Sequence, residues 1–172
     1  MKHFLAGCAS GTLLLALCVL GYLRLGLADV RADVPPSWAV TRLFSGGVHA
    51  SIRRTTPKLQ NPVPVNDASL IEGGKLFLND CVGCHSAPGQ PPSQFGATFY
   101  PPAPQFPLVG TAYSETEIFW VAKHGVRRTG MSAQGPSYSE EHLWMLASFV
   151  SRMRNLPPAV AKGIEQKPAK LD

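Results

Sequence analysis

The chain has 172 residues, 45% of them hydrophobic and 16% charged, with a formal net charge of +5. That length makes one domain with modest additions. No recognised nucleic-acid motif accompanies the positive charge, so nucleic acid is not an expected partner. The charge is also uneven: six basic residues face seven acidic ones from Asn66 to Val160, whereas Arg24, Arg31, Arg42, Arg53, Arg54 and Lys58 outnumber Asp29 and Asp33 before it.

Phe4 to Leu23 is a run of twenty residues without a charge. At about 1.5 Å rise per residue, a helix of that length crosses the hydrocarbon core of a bilayer. A cleavable signal is the alternative, with Gly26-Leu27-Ala28 as the cut. Such signals typically have an apolar region of about 7–15 residues. This run is longer and is followed directly by Arg24, so a retained anchor over residues 1–24 is the expected reading. Leu5-Ala6-Gly7-Cys8 has the look of a lipoprotein signal but leaves almost no apolar stretch before the cut, and lipidation is not expected. Cys8 and Cys18 then act as small hydrophobes.

Residues 25–65 read as a basic linker in which Pro35, Pro36, Pro57, Pro62 and Pro64 favour extended backbone. One short helix is expected inside it, capped by Ser37, running from Trp38 to Phe44 and ended by Gly46-Gly47. Trp38, Leu43 and Phe44 would pack on the following domain or rest at a membrane interface. The basic residues can lie on anionic membrane lipid, on an acidic partner, or in solvent.

A compact domain is expected over residues 66–158. Asp67 or Ser69 can cap a first helix running to about Asn79, with Gly73 four residues before Phe77. Cys81-Val82-Gly83-Cys84-His85 follows and reads as the attachment site of a covalent c-type haem. Two thiols three residues apart on one turn can add to the two vinyl groups of one haem, and the adjacent His85 then lies under the iron as its proximal ligand. A thioredoxin-like redox pair would want a βαβ setting, and a zinc site a second pair of ligands. Neither context is present.

A Pro-, Gly- and Ser-rich stretch leads to a helix from Ser114 to Lys123, with Ser114 and Glu117 as a capping box, His124 at its end and Gly125 as the stop. A last helix from Glu140 to about Leu156 is capped by Ser139 and stopped by Pro157-Pro158. Glu140 and Glu141 in its first turn and Arg152 and Arg154 near its end suit the helix dipole. Leu143, Leu146, Ala147 and Val150 form its buried stripe, while Met145 and Met153 read as packing or surface residues. Residues 159–172 read as a flexible tail.

The ordered set resembles the class I cytochrome c domain, and more closely the single-haem group similar to oxidase subunit III cytochromes. It is carried over residues 66–158 by Gly73 and Phe77, by Cys81 to His85, by Tyr100-Pro101-Pro102-Ala103-Pro104, by Lys123 to Met131, and by Leu146 and Phe149. The resemblance implies an all-α fold of three to five helices around one covalent haem c, here preceded by a single transmembrane helix. It implies Met131 as the sixth ligand, 46 residues after His85 in a loop that follows Thr129-Gly130, with His124 as the competing candidate. It implies that the carbonyl of Pro101 or Pro102 accepts the Nδ1 proton of His85, and that Phe95, Phe99, Tyr100, Phe106 and Leu108 wall the haem. It implies a haem domain on the periplasmic side of a bacterial inner membrane. The expected role is that of a one-electron carrier, not an enzyme, with no small-molecule substrate. A redox protein or membrane complex would serve as electron donor and acceptor. A dedicated subunit of a dehydrogenase or oxidase complex is the alternative, and a haem sensor with an open iron is a third reading.

Overall fold

The computed structural model describes residues 1–165, and the regular structure in them is entirely helical. It divides into two units, Met1–Val34 and the chain from Pro35 onward. In the first, α1 runs from Lys2 to Arg24 with none of its residues buried. It is long and apolar enough to cross a membrane. Its Thr12 hydroxyl donates to the Cys8 carbonyl at 2.9 Å, which satisfies a polar group within an apolar helix.

The second unit opens with α2, Trp38–Thr55, whose N-cap Ser37 accepts a bond from the Val40 amide. The expected stop at Gly46-Gly47 does not occur. Each glycine costs a helix about 1 kcal/mol relative to alanine, and the second half of α2 offsets this by docking on the domain. Ile52 is buried, the His49 Nδ1 shares a hydrogen bond with the Tyr113 hydroxyl, and Phe44 meets the Tyr100 ring edge-on at 6.2 Å. Much of the expected linker is therefore part of the folded unit.

Helix α3 spans Asp67–Asp80. Its cap is Asn66, one residue before the earliest candidate, because Asn66 keeps extended backbone (φ −142°, ψ 174°) while Asp67 is already helical. The Asn66 side chain accepts from the Ser69 amide at 3.0 Å, and the Ser69 hydroxyl accepts from the Asn66 amide at 3.1 Å. Three single turns follow: α4 (Val82–His85), α5 (Gln94–Ala97) and α6 (Phe106–Val109). Then come α7 (Glu115–His124) and α8 (Glu140–Arg152), with the caps Ser114 and Ser139 where the sequence places them.

The core is the crossing of α3 and α8. A Cβ on Gly73 would collide with the backbone carbonyl of Met145, so only glycine lets the two helices approach this closely. Beside the crossing, Phe77 packs on Phe149 at 5.8 Å, and both are essentially inaccessible to solvent. Helix α7 closes the other side of α8, where the Phe119 and Trp144 rings stack at 4.1 Å.

The C-terminal end departs from expectation. After α8 a 3-10 turn covers Met153–Asn155, and Pro158 then begins a further helix, α9 (Pro158–Glu165). Proline stops a helix it follows but is favoured at the first position of the next. Val160 and Ile164 are buried against α3, so this part of the predicted tail belongs to the core. Residues 166–172 lie outside the described residues.

Candidate functional site

His85 ends the turn α4 and is 9% exposed. Its Nδ1 lies 2.8 Å from the carbonyl oxygen of Pro104. A carbonyl can only accept, so Nδ1 carries the proton and Nε2 keeps its lone pair for a metal. Burial pushes the His85 pKa down, opposed in part by the bond to Pro104, and the neutral imidazole is the form that ligates. The Phe106 ring stacks on the imidazole at 4.7 Å.

The partner carbonyl is thus that of Pro104, not of Pro101 or Pro102. Gln105 explains the difference. Its amide nitrogen donates to the carbonyls of Cys84 at 2.9 Å and Ala103 at 2.8 Å, and its amide oxygen accepts from the Ser93 amide at 2.8 Å. The Ala103 amide also donates to the Gly96 carbonyl at 2.9 Å. These bonds hold residues 103–105, rather than 101–102, against the Cys84–His85 turn. Gly96 has to be glycine here, since a Cβ would strike the Cys84 carbonyl.

Cys81 and Cys84 are free thiols, both partly buried. Burial, with Asp80 and Cys84 nearby, pushes the Cys81 thiol up to about 12. A redox-active Cys-X-X-Cys depresses its thiol pKa, so this environment is the reverse of a thioredoxin-like site. Among the described residues no group of three or more His, Cys, Asp or Glu side chains could hold a metal ion.

Met131 lies in the loop after α7 and is partly buried. The loop is fixed by its backbone: the Val126 amide donates to the Met131 carbonyl at 2.9 Å, and the Met131 amide donates to the Thr129 hydroxyl at 3.1 Å. His124 is exposed, with its ring against Trp120 at 3.9 Å. Among the described residues of the second unit, two other than glycine hold a positive φ, Ser86 at 62° and Arg128 at 63°. One directly follows His85 and the other precedes Met131 by three residues. Such strained backbone persists only where the surroundings enforce it, and it concentrates at functional sites. At Ser86 the enforcing contact is its buried hydroxyl, which donates to the Pro91 carbonyl at 2.6 Å.

Of the expected haem walls, Phe99, Tyr100 and Phe106 are partly buried, while Phe95 and Leu108 are exposed. Pro101 is partly buried and Pro102 exposed. The Tyr100 hydroxyl is buried without a hydrogen-bond partner, the one such side-chain atom among the described residues.

Residues 68–150 match the family model described as cytochrome C oxidase, cbb3-type, subunit III. The folded domain is a c-type cytochrome. It therefore binds haem and serves electron transfer, with redox partners on either side of that transfer. No curated protein and no solved structure matches the chain. The cytochrome's own residues fit the group: two unpaired thiols on one turn, a buried neutral imidazole with Nε2 free, and a buried hydroxyl without a partner.

Proposed function

We propose that this cytochrome is a membrane-anchored one-electron carrier with one covalent haem c, working in a respiratory or related chain. The bond from His85 to Pro104 carries the reading, because it leaves Nε2 as the only free basic nitrogen of a buried ring beside two thiols. When bound, haem supplies exchange of one electron between iron(II) and iron(III). Cys81 and Cys84 tether the group through thioether bonds. His85 presents Nε2 to the metal, and Pro104 with Phe106 fixes the plane of its ring. Met131 would hold the metal through its thioether, which would raise the reduction potential. With both ligands kept in place, little rearrangement accompanies each transfer and no site is left for a substrate.

The helix α1 anchors the protein in a bacterial inner membrane as a single span, with the haem domain on the periplasmic side. Its length and apolar composition support the span. A dedicated subunit of a dehydrogenase or oxidase complex is the second reading, favoured by the matched family, which is described as an oxidase subunit.

Covalent attachment is the first test. Purified chain should retain one haem through denaturation and acid-acetone extraction, and the Cys81→Ala/Cys84→Ala double variant should lose it. Cys8→Ala/Cys18→Ala should retain it. Extraction of all haem from the wild type overturns the assignment. Copurification of a dehydrogenase or oxidase at a fixed ratio would replace the free carrier with the subunit.

A further inference from the structure

We propose that α2, which lies outside the matched residues 68–150, is a wall of the haem pocket and covers the edge that carries the haem carboxylates. The proposal rests on the haem reading above and concerns a part of the chain that reading does not use.

A cleft of about 510 Å³ lies between α2 and α7. The cleft is half open to solvent, and its volume lies within the range of ligand clefts. Phe44, Val48 and Ile52 line it from α2, Trp120 from α7, and Val126 and Arg127 from the loop that leads to Met131. That loop segment is bonded directly to Met131, through the Val126 amide and the Met131 carbonyl. On the α2 side, Phe44 lies edge-on against Tyr100, whose buried hydroxyl lacks a partner. Met131 and Tyr100 do not themselves line the cleft, but each touches a residue that does, Val126 in the first case and Phe44 in the second.

A buried hydroxyl without a hydrogen bond costs about 1–3 kcal/mol, so Tyr100 calls for an acceptor. The haem carboxylates are the acceptors at the periphery of the group, and Arg127 brings a positive charge to the same cleft. The apolar side chains of α2 would keep water from that edge. Their effect, and that of Arg127, is to disfavour the more positive oxidised iron.

The test uses the full chain carrying its haem in detergent, with haem content measured by pyridine haemochrome and the midpoint potential by redox titration. Phe44→Ala and Arg127→Gln should each retain one haem per chain and lower the midpoint. A tenfold change in the reduced-to-oxidised ratio corresponds to 59 mV for one electron, and a shift on the order of half to one such step is expected for each. Phe44→Leu should restore most of the loss. Ala50→Ser, on another face of α2, should leave the potential unchanged. If Phe44→Ala and Arg127→Gln both keep the wild-type potential with haem attached, α2 only packs on α7 and the proposal is overturned. A wild-type chain purified without any haem overturns the haem reading and this one with it.

Discussion

Met131→Ala and His124→Ala separate the two candidate distal ligands one side chain at a time. A thioether ligand gives oxidised haem a weak sulfur-to-iron band in the far red. Met131→Ala should abolish that band, lower the potential and open the iron to carbon monoxide. His124→Ala should do none of these, since its exposed ring is occupied with Trp120. Ready binding of carbon monoxide by the wild type would instead favour the sensor reading. Gln105 matters at the same scale for a different reason. Gln105→Leu removes three hydrogen bonds and strands the Cys84 carbonyl, which should lower stability by about 1–3 kcal/mol in chemical denaturation. The single turn that brings Cys81, Cys84 and His85 together was legible because it depends on local spacing. Gln105 was not, because a glutamine among prolines has no signature until the chain folds back on residue 84. The same fold-back selects Pro104 over Pro101 and Pro102, a choice that hydrogen bonds make and composition does not.

At the level of elements, Glu115 ties three segments together. It accepts from Arg152 at 2.6 Å, from Asn61 at 2.6 Å and from Ser148 at 3.0 Å. Burial pushes its pKa up, but these bonds outweigh burial and hold the carboxyl below its ordinary value. The unfolded chain therefore binds the proton more readily than the native one. The contribution is fully present above the ordinary carboxylate pKa and is lost as pH falls through the depressed one. Glu115→Gln should cost about 1–2 kcal/mol near neutral pH, a figure reduced for the partial exposure of Arg152. It should also flatten the acid limb of a stability-against-pH curve, whereas an unchanged limb would show that the clamp contributes nothing. Ser114→Ala, by opening the capping box of α7, should cost about 1 kcal/mol in the same assay. Both α7 and α8 were legible because caps and apolar spacing agree there. The length of α2 was not, because packing on distant residues overrides two glycines, and the existence of α9 was not, because Pro157-Pro158 reads as a stop although Pro158 also suits the first position of a new helix.

For the whole molecule, the proposed anchor would decide where electrons can be delivered. Full-length protein should stay with membranes after a high-salt wash, with its N-terminus at or near Met1. An N-terminus at Asp29 in the soluble fraction would show that the first segment is removed. Beginning the mature chain at Asp29 should leave haem content and potential unchanged, since the unit from Pro35 onward has its own core.

The meeting of Gly73 with Met145 joins residues 72 positions apart. A ribosome delivers the N-terminal side first, so α3 and the turn after it exist before the helix that covers them. Phe77 lacks its contact with Phe149 until the later helix has been made. The two halves of this core contact are therefore made at widely separated times, and the domain can close only once α8 is complete.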